Sequence, residues 1–333
     1  MFCCFRCTRA HAPSLSRASS AACAKPLTRQ SIGASFRDDF PAELAPHLMA
    51  DSPSAIHPAV VIPIYKPELS AAEKISIDRT VDVLAGRSLF LVGPARMRSH
   101  WDALCNRYQH RLQYKTFEDG YFSGINGYNS LMRSRDFYQS FSDHSHLLIS
   151  QTDALVLSDQ LDLWCERDFS YIGAPWFVGG STPRQPLEFL GVGNGGFSLR
   201  KVSDFLRVLT TPSRIPNFIK SRAGGKVGFL NLPRRIKHER WFAYNVEPFF
   251  PRSNEDLFWG MLVPAVYPFF RVPRPEDAVG FSFEVAPRLL YELNGHKLPF
   301  GCHAWERCDR EFWEERLPFL RTNERLNNAA SSN

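Results

Sequence analysis

No stretch of this 333-residue chain approaches the ~20 continuous apolar residues that a membrane-spanning helix needs. The first segment also lacks the apolar h-region of a secretory signal. With neither feature, the expected location is cytoplasmic. Acidic residues are missing from Met1 to Arg37, where six basic ones stand: Arg6, Arg9, Arg17, Lys25, Arg29 and Arg37. Taking those six from the 40 Lys and Arg leaves 34, against 34 Asp and Glu, so the rest of the chain is formally neutral. A neutral body lacks the basic surface that a nucleic-acid backbone demands, which argues against nucleic acid as a partner.

A cysteine framework is missing too. Cys3, Cys4, Cys7 and Cys23 lie near the start, and Cys105, Cys165, Cys302 and Cys308 are scattered. Cys4 and Cys7 form one CxxC with no second half, which argues against structural zinc. The spacing of the others suggests no disulfides and fits a reducing compartment. The acid-free start, rich in Arg, Ser and Ala, has the composition of a transit peptide and equally that of a mis-called start codon, and residues 1–54 are expected to form a disordered basic tail. A single domain is expected over 55–325, with a short disordered C-terminus at 326–333.

What is present alternates. "AVVIPIY" (Ala59 to Tyr65) has the β-branched, apolar profile of a strand buried on both faces. "PELSAAEKISIDRTVDVLAG" spaces Ile75, Val81 and Leu84 as a helix does, with a Pro start and Gly86 as a stop. "SLFLVGP" reads as a strand, "SHWDALCNRYQ" as a helix and "QYKTFED" as a strand. "GYNSLMRSRDFYQSF" then reads as a helix and "HLLISQTD" as a strand. Strands alternating with helices of this length predict an α/β fold, a mainly parallel sheet with helices on both faces. Such Rossmann-like sheets bind ligands at the carboxyl ends of their strands. Beyond Trp176 the pattern loosens into a long Gly- and Pro-rich loop and a mixed basic and aromatic stretch, Pro212 to Pro251, where substrate loops are expected.

Four constellations carry candidate chemistry. In "LLISQTDALVL", Asp153 is the sole charge from Leu147 to Leu157, at the end of a predicted strand. That placement suits a divalent cation, although a turn or an N-cap uses Asp in the same way. "GVGNGGFSLRK" (Gly191 to Lys201) lets backbone approach a ligand, with Asn194 able to read a sugar hydroxyl; a plain hairpin turn is the alternative. No helix pattern starts on these glycines, so they are not a dinucleotide fingerprint. "RSNEDLFWG" places Glu255 and Asp256 in the first turn of a helix capped by Ser253 or Asn254. That is a sufficient structural role, or else a carboxylate held as general base. In "LPFGCHAWE", His303 is able to complete the coordination of a metal held by Asp153, although a lone His is commonly structural. Trp176, Phe177 and Trp259 are candidates for stacking on sugar, or for core packing.

Taken in order, "QTDALVL", "GNGGFSLR", "NEDLFW" and "PFGCHAWE" resemble a glycosyltransferase-like domain family of unknown function, related to GT-A-type nucleotide-sugar transferases. The resemblance spans about Val60 to Leu317. It implies a GT-A fold, a nucleoside-diphosphate sugar donor, a carbohydrate or glycoconjugate acceptor, and a divalent metal, Mn or Mg. Gln151, Thr152 and Asp153 match the short acidic motif that holds the metal and donor, with Gln151 in place of its first acid. Asn194, Gly195 and Gly196 match the donor and acceptor loop, and Trp176, as a stacking candidate, is counted with them among the donor-binding residues. Asp256 with Glu255 takes the place of the base-bearing acidic pair, and His303 that of the C-terminal metal or diphosphate ligand. The activity so implied is sugar transfer with inversion. A nucleotide-sugar binding protein without turnover is the alternative, and a metal-dependent hydrolase or nucleotidyltransferase is a third.

Overall fold

The structure, a computed structural model, describes residues 56–109, 111–210 and 254–321. The basic tail, Pro212 to Pro251 and the 326–333 segment lie outside the described residues. Strand β1 (Ala59–Pro63) is buried along its whole length, as a β-branched run covered on both faces must be. Helix α1 (Ala71–Val83) starts four residues after the expected Pro67. The reason is a capping box: the Ser70 side chain accepts from the Glu73 N–H, and the Glu73 carboxylate accepts from the Ser70 N–H. Strand β2 (Ser88–Pro94), helix α2 (Arg98–Arg107) and strand β3 (Leu112–Phe117) follow as the pattern predicts. The single helix expected next divides into α3 (Ile125–Met132) and α4 (Arg135–Gln139). Ser134 breaks it by capping the second piece, its Oγ accepting from the Phe137 N–H.

Strands β4 (His146–Ser150) and β5 (Ala154–Val156) come next, then α5 (Leu161–Glu166), β6 (Tyr171–Ile172), β7 (Ala174–Phe177), β8 (Phe189–Gly193), β9 (Phe197–Lys201) and α6 (Val202–Thr210). A helix over Glu255–Leu257 widens into a π segment over Phe258–Leu262. Two short strands, β10 (Ser282–Phe283) and β11 (Gly301–His303), complete the set used below.

The main sheet is six-stranded in the order β3-β2-β1-β4-β9-β6. Its first four strands are parallel, β9 runs antiparallel to β4, and β6 antiparallel to β9. The chain moves outward from β1 to β3 and then returns past β1 to lay down β4. With the right-handed crossovers that are the rule, the connections on the two sides lie on opposite faces, which places the ligand-binding crevice of such sheets between the carboxyl ends of β1 and β4. Because β9 is antiparallel, its amino end comes to that same edge. β5 joins β10 and β11 in a small sheet of order β10-β11-β5, and β7 pairs with β8. Among the described residues no helix is long and apolar enough to cross a membrane.

The aromatic residues mostly fill the core. Trp259 is wholly buried, its ring 4.1 Å from that of Phe205, and Phe177 is stacked on Phe189 at 4.8 Å. Phe177 and Trp259 therefore pack the interior and are not sugar platforms. Of the three candidates only Trp176 is partly exposed.

The far end of β4 carries a pH liability. His146 is buried with no partner at Nε2 among the described residues, and burial, helped by the Lys201 charge, lowers its pKa to about 4. A base whose folded pKa is depressed stabilises the fold fully above its unfolded value and loses that contribution as pH falls. Between pH 6.5 and 4 this loss is on the order of 3 kcal/mol. Denaturant titrations at the two pH values are expected to show His146→Leu losing correspondingly less stability on acidification than the parent.

Candidate functional site

Gln151, Thr152 and Asp153 link β4 to β5 at the crevice edge, and each is held. The Gln151 N–H donates to the Gly196 carbonyl at 2.8 Å, tying the turn to the Gly-rich loop. The Thr152 hydroxyl donates to Glu73 Oε1 at 2.9 Å, so the carboxylate that caps α1 also fixes this turn. Glu73 in turn takes an ion pair from Lys66 at 2.6 Å.

Register brings His303 to Asp153. β11 pairs antiparallel with β5, placing His303 opposite Ala154. The Asp153 Oδ1 lies 3.2 Å from His303 Nε2, and Gln151 Oε1 lies 3.3 Å from the same nitrogen. On the other side of the ring, His303 Nδ1 is 3.0 Å from Glu284 Oε1. Asp153 Oδ2 accepts from Arg307 at 2.7 Å. Burial disfavours charge on both residues, but their mutual attraction overcomes it. Asp153 is lowered to about 2 with help from Arg307, and His303 is raised to about 10 with help from Glu284.

Asp153 Oδ1 and Gln151 Oε1 both lie beside His303 Nε2, which as an imidazolium carries a hydrogen; a cation that displaced that hydrogen would meet a carboxylate oxygen, an imidazole nitrogen and an amide oxygen, donors that suit Mn or Mg. Glu284 holds the second ring nitrogen of His303, as acidic partners of metal-ligating histidines do. Among the described residues no group of three or more His, Cys, Asp and Glu surrounds a common point. A cation here would thus take Asp153, His303 and Gln151, with bound ligand supplying the remaining oxygens.

The loop Asn194-Gly195-Gly196 forms the facing wall. It joins β8 to β9, which lie in different sheets, so it is not a hairpin turn. Asn194 takes a left-handed φ of 76°, which Asn tolerates, and its Oδ1 accepts from the N–H groups of Gly196 and Phe197. Its amide nitrogen is buried without a hydrogen-bond partner among the described residues. A Cβ on Gly196 would sit 2.1 Å from His303 Nε2, and one on Gly195 would sit 1.9 Å from Glu255 Oε1. Glycine is what allows the loop to lie between the imidazole and the acidic pair. Trp176 lies over this wall, its Nε1–H donating to Glu284 Oε2 at 3.1 Å.

The two carboxylates of "NEDLFW" have different fates. Glu255 is buried in an ion pair with Arg200 at 2.9 Å, and Arg200 also donates to the Tyr138 hydroxyl at 3.0 Å. The Glu255 N–H donates to Asn129 Oδ1 at 3.0 Å. Among the described residues Asp256 has no cationic partner in its hydrogen bonds; its Oδ2 accepts from the Gly195 N–H at 3.3 Å and its Oδ1 from the Leu257 N–H at 2.8 Å. Burial, then the charges of Glu255 and Glu284, raise Asp256 to about 7 against those two hydrogen bonds. Asn254 has N-cap backbone geometry but makes no side-chain cap bond. Cys302, next to His303, is fully buried with its thiol pushed well above the ordinary range, the state of an inert structural cysteine.

Four residues of this cluster were not among the sequence candidates. Glu73 had a signal, the Ser-x-x-Glu spacing of a capping box. Glu284 had the same signal as Asp153, a sole charge in an apolar run from Ala278 to Pro287. Arg200 and Arg307 had none, since one sits in a strand and the other in a turn where a basic residue is ordinarily solvated.

Among solved structures, the chain is similar to the galactosyltransferase LgtC in complex with donor and acceptor sugar analogues. The two share 12% identity with a TM-score of 0.46, covering 82% of this chain and 95% of that one. It is similar to mouse xyloside xylosyltransferase 1 in its apo form at 11% identity and a TM-score of 0.43, covering 74% and 96%. A 4-diphosphocytidyl-2C-methyl-D-erythritol synthase from Anaerococcus prevotii matches at 8% identity and a TM-score of 0.31, over 50% of this chain and 83% of that one. No curated protein matches the chain. The model of one family spans residues 111–303, from β3 to His303 and so across every candidate residue of the site, and the chain belongs to that family, the proteins of unknown function grouped as DUF5672.

Proposed function

We propose that this protein is a glycosyltransferase that moves a sugar from a nucleoside-diphosphate donor to an acceptor hydroxyl, with inversion and with a divalent cation bound. The observation that carries this reading is the meeting of Asp153, His303 and Gln151 at the carboxyl end of β4, beside the β1/β4 crevice. Donors of that chemistry at a strand-order reversal favour a cation-tethered diphosphate. When bound, the cation supplies Lewis-acid stabilisation of the departing diphosphate.

The protein's own groups divide the remaining work. Asp153 and His303 hold the cation, and Gln151 offers its amide oxygen. Asp256 removes the proton from the acceptor hydroxyl; a carboxylate raised to about 7 is matched to that task near neutrality. Glu255, engaged by Arg200, fixes the backbone from which Asp256 projects. Trp176, partly exposed and packed on Gly193, is the one aromatic candidate left to contact a sugar.

One observation favours a second reading. Asp153 already has His303 and Arg307 as counter-cations, and Gln151 stands where the resembled motif has an acid. That pairing suits a nucleotide-sugar binding protein without turnover. Titrating manganese with UDP- and GDP-sugars, followed by calorimetry and by release of free nucleotide, separates the two. Binding with slow release is expected. Binding without release moves the conclusion to the second reading, and no binding to any of these donors removes both.

A further inference from the structure

Resting on the proposed cation site, we infer that Arg307 is exchanged between two anions: it holds Asp153 until a divalent cation displaces it, and then closes on the diphosphate that the cation carries. Asp153 divides its oxygens between two partners. Oδ1 faces His303 Nε2 at 3.2 Å, and Oδ2 accepts from Arg307 at 2.7 Å. The two partners differ in freedom. The His303 side chain is 3% exposed and has Glu284 against its other edge, whereas that of Arg307 is 40% exposed. Of the two, Arg307 is the one that can leave.

The backbone beneath that side chain is fixed. Arg307 stands in the turn after β11, its N–H donating to the Ala304 carbonyl at 2.9 Å. Trp305 in the same turn is buried, and its indole donates to the Ser76 hydroxyl at 3.2 Å. A long side chain therefore moves from a rigid base beside the crevice, at little cost to the fold.

Charge sets the direction of the movement. A guanidinium keeps its charge throughout, so the exchange needs no proton transfer. A divalent ion on Asp153 repels it at short range and competes for the same carboxylate. Two carboxylates whose charges are felt nearby, Glu73 and Glu306, are already paired, with Lys66 at 2.6 Å and with Arg310 at 3.5 Å. The diphosphate brought in with the cation is the anion left to take the planar fork, which spans two phosphate oxygens at once. Arg307 so couples the two ligands: the cation frees the group that the diphosphate then binds.

Arg307→Gln in the full chain separates this exchange from a static ion pair, because the two ligands should respond with opposite signs. Free Mn²⁺, read by electron paramagnetic resonance without nucleotide, is expected to show binding tightened by about 2- to 5-fold. Calorimetric titration of UDP at saturating Mn²⁺ is expected to show affinity lowered by about 10- to 100-fold. Arg310→Gln removes a neighbouring charge paired with Glu306 and Glu314, and should leave both values at the parent's. Melting temperatures recorded alongside report folding. Mn²⁺ binding no tighter than the parent's in a folded Arg307→Gln overturns the competition at Asp153, and parent-like UDP affinity overturns the transfer; either result sinks the inference. An equal gain in Arg310→Gln sinks it too. Should Arg307→Gln not fold, Arg307→Lys decides: it keeps the charge without the fork, and parent-like UDP affinity in it overturns the inference. If the parent itself binds no Mn²⁺, the cation reading fails and the exchange falls with it. A parent that binds Mn²⁺ beside an Arg307→Gln that gains nothing removes the exchange alone.

Discussion

Asp153→Ala is expected to abolish cation-dependent binding of nucleoside-diphosphate sugars while leaving the protein folded. Asp153 is the sole anionic group among the three side chains that meet at the carboxyl end of β4. Its removal leaves the buried His303 with Glu284 alone as counter-charge and takes away one acceptor from Arg307. Loss of one partner from a desolvated charged contact costs roughly 2–5 kcal/mol, so affinity should fall by ~10²-fold or more. The fold should tolerate the change, because the turn stays tied through Thr152 to Glu73 and through Gln151 to Gly196. Calorimetry with Mn²⁺ and UDP-sugars reads the outcome. Unchanged affinity with the same dependence on divalent ions would remove the cation site from the proposal.

Asp256→Asn should act on turnover rather than on binding. Losing a positioned general base is expected to cut transfer by ~10²-fold or more. Donor affinity should stay near that of the parent, because Asp256 makes its hydrogen bonds to Gly195 and Leu257 and not to the cation residues. In the parent, activity should rise with pH through about 7 as Asp256 ionises. Stability supplies an independent check with a definite sign. A carboxyl whose folded pKa is raised binds its proton more tightly in the fold than in the unfolded chain. The ionised form is therefore penalised, and stability declines as pH rises from ~4 through 7. Asn mimics the protonated form. The variant should match the parent near pH 4 and exceed it at pH 8, by on the order of a few kcal/mol. An Asp256→Asn enzyme with normal transfer rates would show that another group is the base.

The two carboxylates of this pair show how far a sequence can be read. Both stand in the first turn of a helix start, and nothing in "NEDLFW" separates them. Their difference comes from Arg200, 55 positions earlier, which reaches Glu255 and not Asp256 in its hydrogen bonding. The same holds for the aromatic residues. Trp176, Phe177 and Trp259 looked equivalent as stacking candidates, but β7 alternates its side chains, burying Phe177 and leaving Trp176 partly exposed. The Gly-rich stretch read equally well as a ligand loop or as a hairpin. Only strand pairing excluded the hairpin, since β8 pairs with β7 while β9 pairs with β4.

Sequence alone determined the alternation of buried strands and amphipathic helices, because hydrophobic period and capping residues are local properties. It also marked Asp153 as anomalous, since a sole carboxylate in an apolar run needs a partner wherever the chain goes. Tertiary structure decided what that partner is. His303 reaches Asp153 through the pairing of β5 with β11, some 150 positions apart, and Glu284 reaches His303 through β10. Strand register is set by the packing of the whole sheet and not by the residues it brings together, so the chemistry of this site becomes visible only after the fold has formed.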